Sequence, residues 1–321
     1  MPDLSVIIVN WNSKDYVRQC LATLFVNCQG LSMEVIVVDG GSFDGCDEML
    51  AREFPKVVFI QVDQNVGFAR ANNAGFERST GKFVWLLNPD TEVVGPAAAT
   101  LLQTLQSRND IGMVGARLLN SDGSLQTSCV QSLPTPLNQA LDSEILRRIF
   151  PKLGLWGIVA LQSQAQPVEV EAISGACMML RREDFARVGR FNPGYFMYGE
   201  DMDLCLKIHR AGLKIIYVPE AEVRHHGGGS SQKQSSKFSA VLMREAVTFY
   251  LSSNFSIFHA WFYRFCMAVS ALSRIAALLA FRLVARSESK VKNFFSLQKW
   301  IAILKWSFGG ERWARAHSRE S

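Results

Sequence analysis

The sequence lacks the features of exported and disulfide-stabilised proteins. Its seven cysteines are an odd number and none stands in a Cys-x-x-Cys pair, so neither a disulfide framework nor a zinc cluster is predicted. The first residues, MPDLSVIIVNWN, have no charged region and no long apolar region, and they enter a strand-like run at once. We therefore expect free thiols, no signal peptide and a cytoplasmic protein.

The chain carries only a small excess of positive charge. The 34 Lys and Arg residues against 29 Asp and Glu give a formal net charge of +5, which is too mild to demand a nucleic acid partner. From Lys233 onward, basic residues outnumber acidic ones and alternate with aromatic residues. This pattern is typical of a surface that contacts anionic lipid.

The tail also lacks a long uncharged apolar run, although its pattern is helical. Arg264, Arg274 and Arg282 interrupt the stretch 257–285, whose longest uncharged piece is 265–273, whereas a spanning helix needs about 18 residues. We therefore predict an amphipathic helix or hairpin in the membrane interface. Further interfacial contacts are predicted from Lys290, Lys292, Lys299, Trp300, Lys305 and Trp306. A helical bundle packed on the catalytic domain or on a second subunit is the alternative.

Short apolar runs of strand character recur along the first part of the chain, and segments with helical spacing separate them. The runs are LSVIIV at 4–9, MEVIVV at 33–38, VVFIQV at 57–62 and FVWLL at 83–87. Their valine and isoleucine content predicts strands buried on both faces, as in a parallel sheet. Helices are predicted after Ser13 and over 95–107. The sequence thus predicts an α/β, doubly wound fold.

The later pattern divides the chain into a catalytic domain and a tail. Over 117–167 periodicity weakens, which predicts loops and short helices beside a substrate cleft. Strand-like alternation returns at 169–182, a helix follows within 195–212, and 213–231 is predicted as strand, loop and glycine-rich turn. We expect a catalytic domain at 1–236 and a helical appendage at 237–321.

Polar residues follow each of the four predicted strands. Ligands of open α/β sheets bind outside the carboxyl ends of the strands, so these residues are candidates for a site. An Asp in this position also forms turns through its own backbone, but three at one sheet exceed what turns require. The segments are Asn10-Trp11-Asn12, Asp39-Gly40-Gly41-Ser42, Asp63-Gln64-Asn65 and Asn88-Pro89-Asp90.

A nucleotide joined to a sugar would give these residues plausible roles. Asp39 offers an acceptor to a base N–H or a ribose hydroxyl, and Gly40 and Gly41 would keep backbone close to the ligand. Asp90 offers oxygen to a hard divalent ion such as Mg²⁺ or Mn²⁺, which one or two carboxylates and substrate phosphates typically hold.

Two further clusters carry ionisable groups. His225-His226 precedes a glycine-rich turn, a combination that indicates metal or phosphate contact at one of the two histidines. Glu200, Asp201 and Asp203 lie in the segment YFMYGEDMDLCLKIHRAG at 195–212. Acidic residues at a helix start commonly cap it, so a purely structural role is the alternative there.

Together these segments resemble glycosyltransferase family 2 enzymes of the GT-A fold, a Rossmann-like and mostly parallel α/β fold, in particular the bacterial branch that includes rhamnosyltransferases. The resemblance covers about residues 4–231. Its motifs are VIIVNWN, VDGGSFDG, DQNVGFARANNAG, WLLNPDTEV, GARLLNSDGSLQTS and the run from SGACMML through GEDMD to RHHGGGSS. The tail is similar only in its helical, basic and aromatic character.

The resemblance implies an inverting, metal-assisted transfer from a nucleoside diphosphate sugar to a lipid-linked or growing surface glycan. Asp201 is implied as the general base, Glu200 as its orienting neighbour, and Asp203 as structural. Asp90 and His225 are implied as metal ligands, with His226 the lesser choice. The nucleotide-sugar pocket is implied to include Asn10, Asn12, Asp39, Asn65, Gly67, Asn72, Asn88 and Asp90.

The branch resemblance alone implies L-rhamnose from dTDP-rhamnose as the donor and the inner face of the cytoplasmic membrane as the place of work. A homo-oligomer is also compatible with the sequence. The chain departs from the family where Asn88-Pro89-Asp90 replaces Asp-x-Asp, where Gly40 replaces an amide side chain, and at Asn192. Strict metal dependence is therefore an open question.

Three other functions were weighed. A dinucleotide-dependent oxidoreductase would carry a glycine fingerprint where this chain has Asn10-Trp11-Asn12. A sugar-1-phosphate nucleotidyltransferase would carry a basic, glycine-rich loop near the amino terminus. A catalytically inactive nucleotide-sugar-binding or scaffold protein is the remaining alternative, and the retained set of Asp90, Asp201 and His225 speaks against it.

Overall fold

The computed structural model describes residues 2–142, 146, 149–150, 153–157, 161, 166–227, 236–284 and 287–314, with backbone alone at 154, 236, 282–284 and 287–295. The chain forms two compact units. The first comprises 1–133, 152–193 and 200–232, and the second comprises 134–151, 194–199 and 233–321. The expected catalytic domain at 1–236 stays a prediction, because compactness does not define a functional domain.

Helices and strands alternate through the first part of the chain. In chain order they are β1 (Leu4–Asn10), α1 (Lys14–Asn27), β2 (Met33–Asp39), α2 (Cys46–Glu53), β3 (Val58–Gln61), α3 (Phe68–Arg78), β4 (Phe83–Leu87), β5 (Thr91–Val94), α4 (Ala97–Ser107), β6 (Ile111–Leu119), β7 (Val130–Gln131) and α5 (Pro136–Leu141). Then follow β8 (Val168–Glu169), β9 (Ala172–Ile173), β10 (Cys177–Arg181), α6 (Arg182–Arg187), α7 (Glu200–Arg210), β11 (Lys214–His225), α8 (Ser236–Asn254), α9 (Ile257–Val284) and α10 (Ser287–Ser307).

The first unit is built on one mixed sheet. Its strand order is β3-β2-β1-β4-β10-β6-β11-β5, with β8 against β11. Strands β3, β2, β1 and β4 run parallel, and β6 is parallel to β11. Between these two groups, β10 is antiparallel to both of its neighbours. The predicted α/β class is confirmed, and the sheet is mixed rather than mostly parallel because β10 enters it in the reverse direction.

The structure changes several predicted boundaries. The strand predicted at 83–87 is confirmed, and the one predicted at 57–62 shortens to β3. The alternating run at 169–182 is not one strand, because β9 pairs with β7 in a separate two-stranded sheet and a turn at 174–176, where the Cys177 amide donates to the Ser174 carbonyl, precedes β10. Strands β5 and β6 were not predicted. All seven cysteines are free thiols, as expected.

The second unit is helical, and its interior holds several residues of the tail. Trp306 is 1% exposed, so its predicted role as an interfacial contact is wrong. Its indole nitrogen donates to Glu245 Oε2 at 2.8 Å, which explains why the ring is buried. The side chains of Lys290 and Lys292 lie outside the described residues. By length and composition one helix in the described part of the chain, Ile257–Phe281, suffices to cross a membrane.

Candidate active site

Asn10 and Asp39, the last residues of β1 and β2, are the centre of a buried hydrogen-bond network. They are register partners on parallel strands, so their side chains meet at one edge of the sheet. Asn10 Nδ2 donates to Asp39 Oδ2 at 2.9 Å, and Ser42 donates to Asp39 from its amide and from its hydroxyl, both at 2.7 Å. Gln61 Nε2 adds a longer bond of 3.3 Å. Contacts within the protein thus occupy the roughly four acceptor positions of this carboxylate.

Asp44 fixes the loop that follows β2. It accepts from Asn10 Nδ2 at 3.0 Å and from the Lys14 amide, at the start of α1, at 2.9 Å. The expectation that Gly41 leaves space for a ligand is wrong. Its φ is +80°, and a Cβ there would lie 2.5 Å from the Gln64 carbonyl carbon. Gly41 therefore allows two loops to pack closely and does not open a pocket.

The other predicted donor-binding residues shape the loops at the same edge. Asn12 is exposed, and its backbone, with φ of 51°, lies in the left-handed region. Asn65 Oδ1 accepts from the Gly67 amide at 3.0 Å, which fixes the turn before α3. Asn72 is buried, and its Nδ2 donates to the Phe68 carbonyl within α3 at 3.0 Å. Their contacts with a nucleotide stay predictions.

Asp90 and His225 come together because β11 ends beside β5. His225 is the register partner of Thr91, the residue after Asp90. His225 Nε2 lies 3.3 Å from Asp90 Oδ1 and 3.5 Å from Asn88 Nδ2. Asn88 Oδ1 is buried and has no hydrogen-bond partner among the described residues. One imidazole nitrogen and one carboxylate oxygen are thereby grouped beside the Asn88 side chain at the end of β4.

Gln126 determines how the His225 ring is oriented. Its Nε2 donates to Asn120 Oδ1 at 3.1 Å, which directs its Oε1 toward His225 Nδ1 at 2.7 Å. With Gln126 Oε1 as acceptor, His225 Nδ1 is the donor of this bond, and Nε2 is the ring nitrogen that faces Asp90. This is the arrangement of a metal-binding histidine, whose second nitrogen usually donates to a fixed acceptor.

His226 has partners at both ring nitrogens. Its Nδ1 lies 2.7 Å from Ser121 Oγ and its Nε2 lies 2.8 Å from Glu92 Oε1. Its backbone amide donates to the Asp90 carbonyl at 2.9 Å. The geometry favours His225 over His226 as a metal ligand, because His226 is occupied in joining the strand ends.

Asp201 lies in the first turn of α7 and accepts hydrogen bonds from two backbone amides. Oδ2 accepts from Gly175 at 3.2 Å and Oδ1 from Met202 at 2.8 Å. These donors favour the ionised carboxylate, whereas burial raises the pKa of Asp201. Asp203 instead forms an ion pair with Lys207 at 2.8 Å one turn along the helix. That contact gives Asp203 a structural role in α7.

Glu200, beside Asp201, lies in a different environment. Its carboxyl group is buried, and Oε2 has no hydrogen-bond partner among the described residues. Burial and, to a smaller extent, the charge of Asp201 raise the pKa of Glu200 to about 8. Two neighbouring carboxyl groups whose environments differ in this way divide one proton unequally. The two amide donors at Asp201, and the lack of a partner for Glu200 Oε2 among the described residues, favour the proton on Glu200.

A short backbone connection joins the Asp201 and Asp90 groups. The Asn88 amide donates to the Ala176 carbonyl at 3.0 Å, next to the Gly175 amide that binds Asp201. The loop at 174–176, where the predicted strand is interrupted, thus contacts both groups. The first unit therefore places the Asp201 carboxylate and the Asp90 and His225 pair on one continuous backbone framework.

Comparisons with known proteins identify the family. The model described as glycosyl transferase family 2 matches residues 5–189, and glycosyl transferase family group 2 matches 150–307. The N-acetylglucosaminyl-diphospho-decaprenol L-rhamnosyltransferase of Mycobacterium tuberculosis is 30% identical over 71% of this chain and 77% of its own. The chain belongs to glycosyl transferase family 2. The rhamnosyltransferase WbbL of Escherichia coli is 25% identical over 72% of this chain and 86% of its own.

Solved structures confirm the GT-A fold of this family 2 glycosyltransferase. The mannosyltransferase PcManGT of Pyrobaculum calidifontis, in complex with GDP-Man and Mn²⁺, matches 97% of this chain and 88% of its own, with a TM-score of 0.58 and 17% identity. The structure of GalNAc-T7 with UDP, GalNAc and Mn²⁺ matches 79% of this chain and 51% of its own, with a TM-score of 0.55 and 16% identity. At this identity the likeness establishes the fold alone. The oxidoreductase and nucleotidyltransferase alternatives are thereby set aside.

Three residues of the site were missed from the sequence, and Ser42 was named only as part of the candidate segment after β2. Ser42 and Asp44 support Asn10 and Asp39, Gly175 binds Asp201, and Gln126 orients His225. Ser42 and Asp44 follow a predicted strand end, so their position contained a signal. The positions of Gly175 and Gln126 in the sequence gave no such signal, because each residue binds a partner that is far away along the chain.

The proton on Glu200 makes the stability of this glycosyltransferase depend on pH. The folded chain holds this proton up to about pH 8, whereas the unfolded chain releases it near 4.5, so wild type loses stability across that interval. We expect Glu200→Gln, which cannot ionise, to raise the free energy of unfolding at pH 8 by on the order of 3 kcal/mol and to change it little at pH 4.5. Urea denaturation at both pH values measures this difference. The exposed control Glu48→Gln should show no such gain. If Glu200→Gln gained the same stability at both pH values, the assignment of a buried proton to Glu200 would be contradicted.

Proposed function

We propose that this chain is an inverting glycosyltransferase that moves L-rhamnose from dTDP-rhamnose to a hydroxyl group of a lipid-linked or growing cell-surface glycan. The observation that carries the reaction type is the Asp201 carboxylate, held by two amides beside a buried Glu200. Support for the donor and acceptor comes from relatives named as rhamnosyltransferases, one of them acting on a diphospho-decaprenol acceptor.

The nucleotide is proposed to bind at the network of Asn10 and Asp39. Because the acceptor positions of Asp39 are occupied, a ligand N–H or hydroxyl group has to displace one donor. The weakest bond is the 3.3 Å contact from Gln61, which is exposed at the end of β3. Displacing Gln61 leaves the shorter bonds from Asn10 and Ser42 in place. Asn12, Asn65 and Gly67 would then line the pocket from the adjoining loops.

The donor set at Asp90 fits a divalent cation. Asp90 Oδ1, the unpaired Asn88 Oδ1 and His225 Nε2 are the types of ligand that Mg²⁺ or Mn²⁺ accepts. The described residues contain no group of three His, Cys, Asp or Glu that could hold a metal alone. Ligation that includes substrate phosphates agrees with this small protein set. A bound cation would neutralise charge that develops on the diphosphate leaving group.

Asp201 is proposed to remove the proton from the attacking acceptor hydroxyl. Its two amide donors keep the carboxylate ionised and fixed in direction, while burial raises its basicity. Neutral Glu200 adds no second charge to this site. The hydroxyl oxygen forms the new bond to the anomeric carbon as the bond to the diphosphate breaks. Attack from the face opposite the leaving group inverts the configuration.

Gln126 is proposed to act as a positioning residue for His225. Gln126→Leu removes the acceptor at Nδ1, so we expect about 10- to 100-fold weaker Mn²⁺ binding in the presence of nucleoside diphosphate. Electron paramagnetic resonance of free Mn²⁺ measures this affinity independently of turnover. Gln126→Glu keeps an acceptor and should recover much of the affinity, and the exposed Gln106→Leu should be neutral. Unchanged Mn²⁺ affinity in Gln126→Leu would rule out the positioning role.

We propose that residues 1–236 catalyse the reaction and that the helical tail at 237–321 brings the enzyme to the inner face of the cytoplasmic membrane as a peripheral protein. The acceptor named for the mycobacterial relative, a diphospho-decaprenol, is itself a lipid. A cytoplasmic position gives direct access to nucleotide sugars. A homo-oligomer is compatible with this arrangement.

A panel of dTDP-, UDP- and GDP-sugars tests this function with the purified full chain. Release of nucleoside diphosphate is measured with and without Mg²⁺ or Mn²⁺, in the presence of membrane lipid. We expect dTDP-rhamnose to be turned over and the cation to stimulate the rate. Turnover of another donor would correct the sugar, and nucleotide binding without turnover of any donor would favour the inactive scaffold instead.

A further inference from the structure

Two of the three arginines of α9, Arg264 and Arg274, have partners inside the helical unit, and the side chain of Arg282 lies outside the described residues. Arg264 pairs with Glu245 at 3.4 Å, and its guanidinium lies 4.3 Å from the ring centroid of Trp306. Arg274 donates to the Asp142 carbonyl at 2.6 Å. Both charges have partners within the same unit, so they do not make the outer surface of the helix polar.

Between Ile257 and Phe281 the outer face of α9 is largely apolar, with His259 and Ser273 as exposed polar residues. Its large exposed side chains recur every three or four residues and so lie on one side of the helix. They include Phe258, Trp261, Phe262, Phe265, Val269 and Leu272, which we call the α9 outer face. Phe258 is 79% exposed and Trp261 is 70% exposed. Soluble monomers rarely expose a contiguous apolar surface of this kind, so it indicates a partner.

The opposite face of α9 is committed to the helical unit. Tyr263, Met267 and Ala271 are buried, and α9 packs against α5, α8 and α10. If α9 crossed a bilayer, either the Arg264 and Glu245 pair would enter hydrocarbon or the helix would leave its partners. Only one face of α9 is therefore available to lipid, which requires the helix to lie in the plane of the membrane.

A cavity of about 410 Å³ adjoins this face within the same unit. Phe262, Phe265 and Val269 of the outer face line it together with Leu141, and Arg274 lies at its wall. An apolar cavity that shares its walls with an exposed apolar face suits a single flexible hydrocarbon chain. This feature favours a lipid over a second copy of the protein as the occupant.

We propose that the α9 outer face rests in the acyl boundary of a phospholipid bilayer, with the helix parallel to the membrane, and that the adjoining cavity takes one acyl chain. This inference deepens the proposed membrane association and rests on it. Because no charged side chain is exposed between Ile257 and Phe281, the contact is apolar and does not depend on anionic lipid.

Flotation of the full chain with vesicles of phosphatidylcholine alone tests the proposal. We expect wild type to float and to remain bound at about 1 M salt, where charge attraction is screened. The double variant Trp261→Glu with Phe265→Glu should partition roughly 100-fold less, the change expected for two aromatic side chains withheld from an apolar phase. The control Val26→Glu, at an exposed apolar position of α1, should float like wild type.

Three results would overturn the proposal. Flotation could require anionic lipid and vanish at high salt, which would identify the lysines of the tail as the membrane-binding groups. The double variant could float like wild type. Light scattering could show a wild-type dimer that the double variant dissociates without a change in flotation, which would identify a second copy as the occupant. Donor turnover is also measured in detergent on the same samples, because detergent takes the place of the membrane. A sample that turns over donor but does not float contradicts the membrane proposal alone, and a sample that floats without turnover contradicts the proposed reaction alone.

Discussion

Replacing Asp201 by Asn is expected to lower the transfer rate by about 10²- to 10⁴-fold while nucleoside diphosphate affinity stays within about twofold. The amide is similar in size to the carboxylate but cannot accept the proton of the acceptor hydroxyl. The Gly175 and Met202 amides bind different oxygens of Asp201, so one of them can still donate to the carbonyl oxygen of Asn and the other faces its NH2 group. Initial rates with dTDP-rhamnose and lipid-linked acceptor, together with calorimetric nucleotide binding, measure the two quantities.

Glu200→Gln is the matched control for this variant. It makes the same chemical change at the neighbouring residue, where burial already keeps the carboxyl group protonated and its pKa at about 8. Because Gln resembles a neutral Glu, we expect activity within about tenfold of wild type. If Glu200→Gln abolished transfer while Asp201→Asn retained it, the roles of the two residues would be reversed. Retained turnover in Asp201→Asn would refute the base assignment outright.

His225→Gln is expected to remove most of the stimulation by Mn²⁺ and to lower kcat/KM by roughly 100-fold. The reason is the loss of Nε2, the nitrogen that lies 3.3 Å from Asp90 Oδ1. Charge neutralisation on a phosphoryl leaving group is worth several kcal/mol, so a factor of about 10² is a conservative expectation. Rates measured across a Mn²⁺ titration give both the affinity and the maximal stimulation.

The adjacent histidine supplies the control for this experiment. His226→Gln changes a residue that contacts Ser121 and Glu92 rather than the donor set. We expect its Mn²⁺ dependence to match wild type, with only a modest loss of thermal stability. Equal loss of stimulation in both variants would mean that the whole strand end is disturbed. Full stimulation in His225→Gln would remove His225 from the metal site.

The sheet edge that carries the candidate site could be predicted because its signals are local. Apolar runs end in Asn10, Asp39 and Asn88, and parallel strands bring their carboxyl ends to one edge. The saturation of Asp39 could not be predicted, because its partner Gln61 is 22 residues away and lies on a third strand. The role of Gln126 was equally inaccessible, since it reaches His225 across 99 residues.

The tail shows a different limit of sequence reasoning. Hydropathy along the chain treats Arg264 and Arg274 as interruptions of an apolar helix. In the folded unit these side chains turn inward to Glu245 and to the Asp142 carbonyl, which leaves the outer face uncharged. A linear pattern records which residues are charged but not where their partners lie. For the same reason Trp306 looked interfacial and is in fact buried.

The proposed function is tested most directly by transfer from dTDP-rhamnose to polyprenyl-diphospho-N-acetylglucosamine by the purified full chain with Mn²⁺, followed by mass spectrometry of the lipid product. We predict one added deoxyhexose, with product formation slowed by about 10²- to 10⁴-fold in the Asp201→Asn variant. An unmodified acceptor with every donor, despite intact nucleotide binding, would contradict the proposed transfer and would identify the chain as a nucleotide-sugar-binding scaffold.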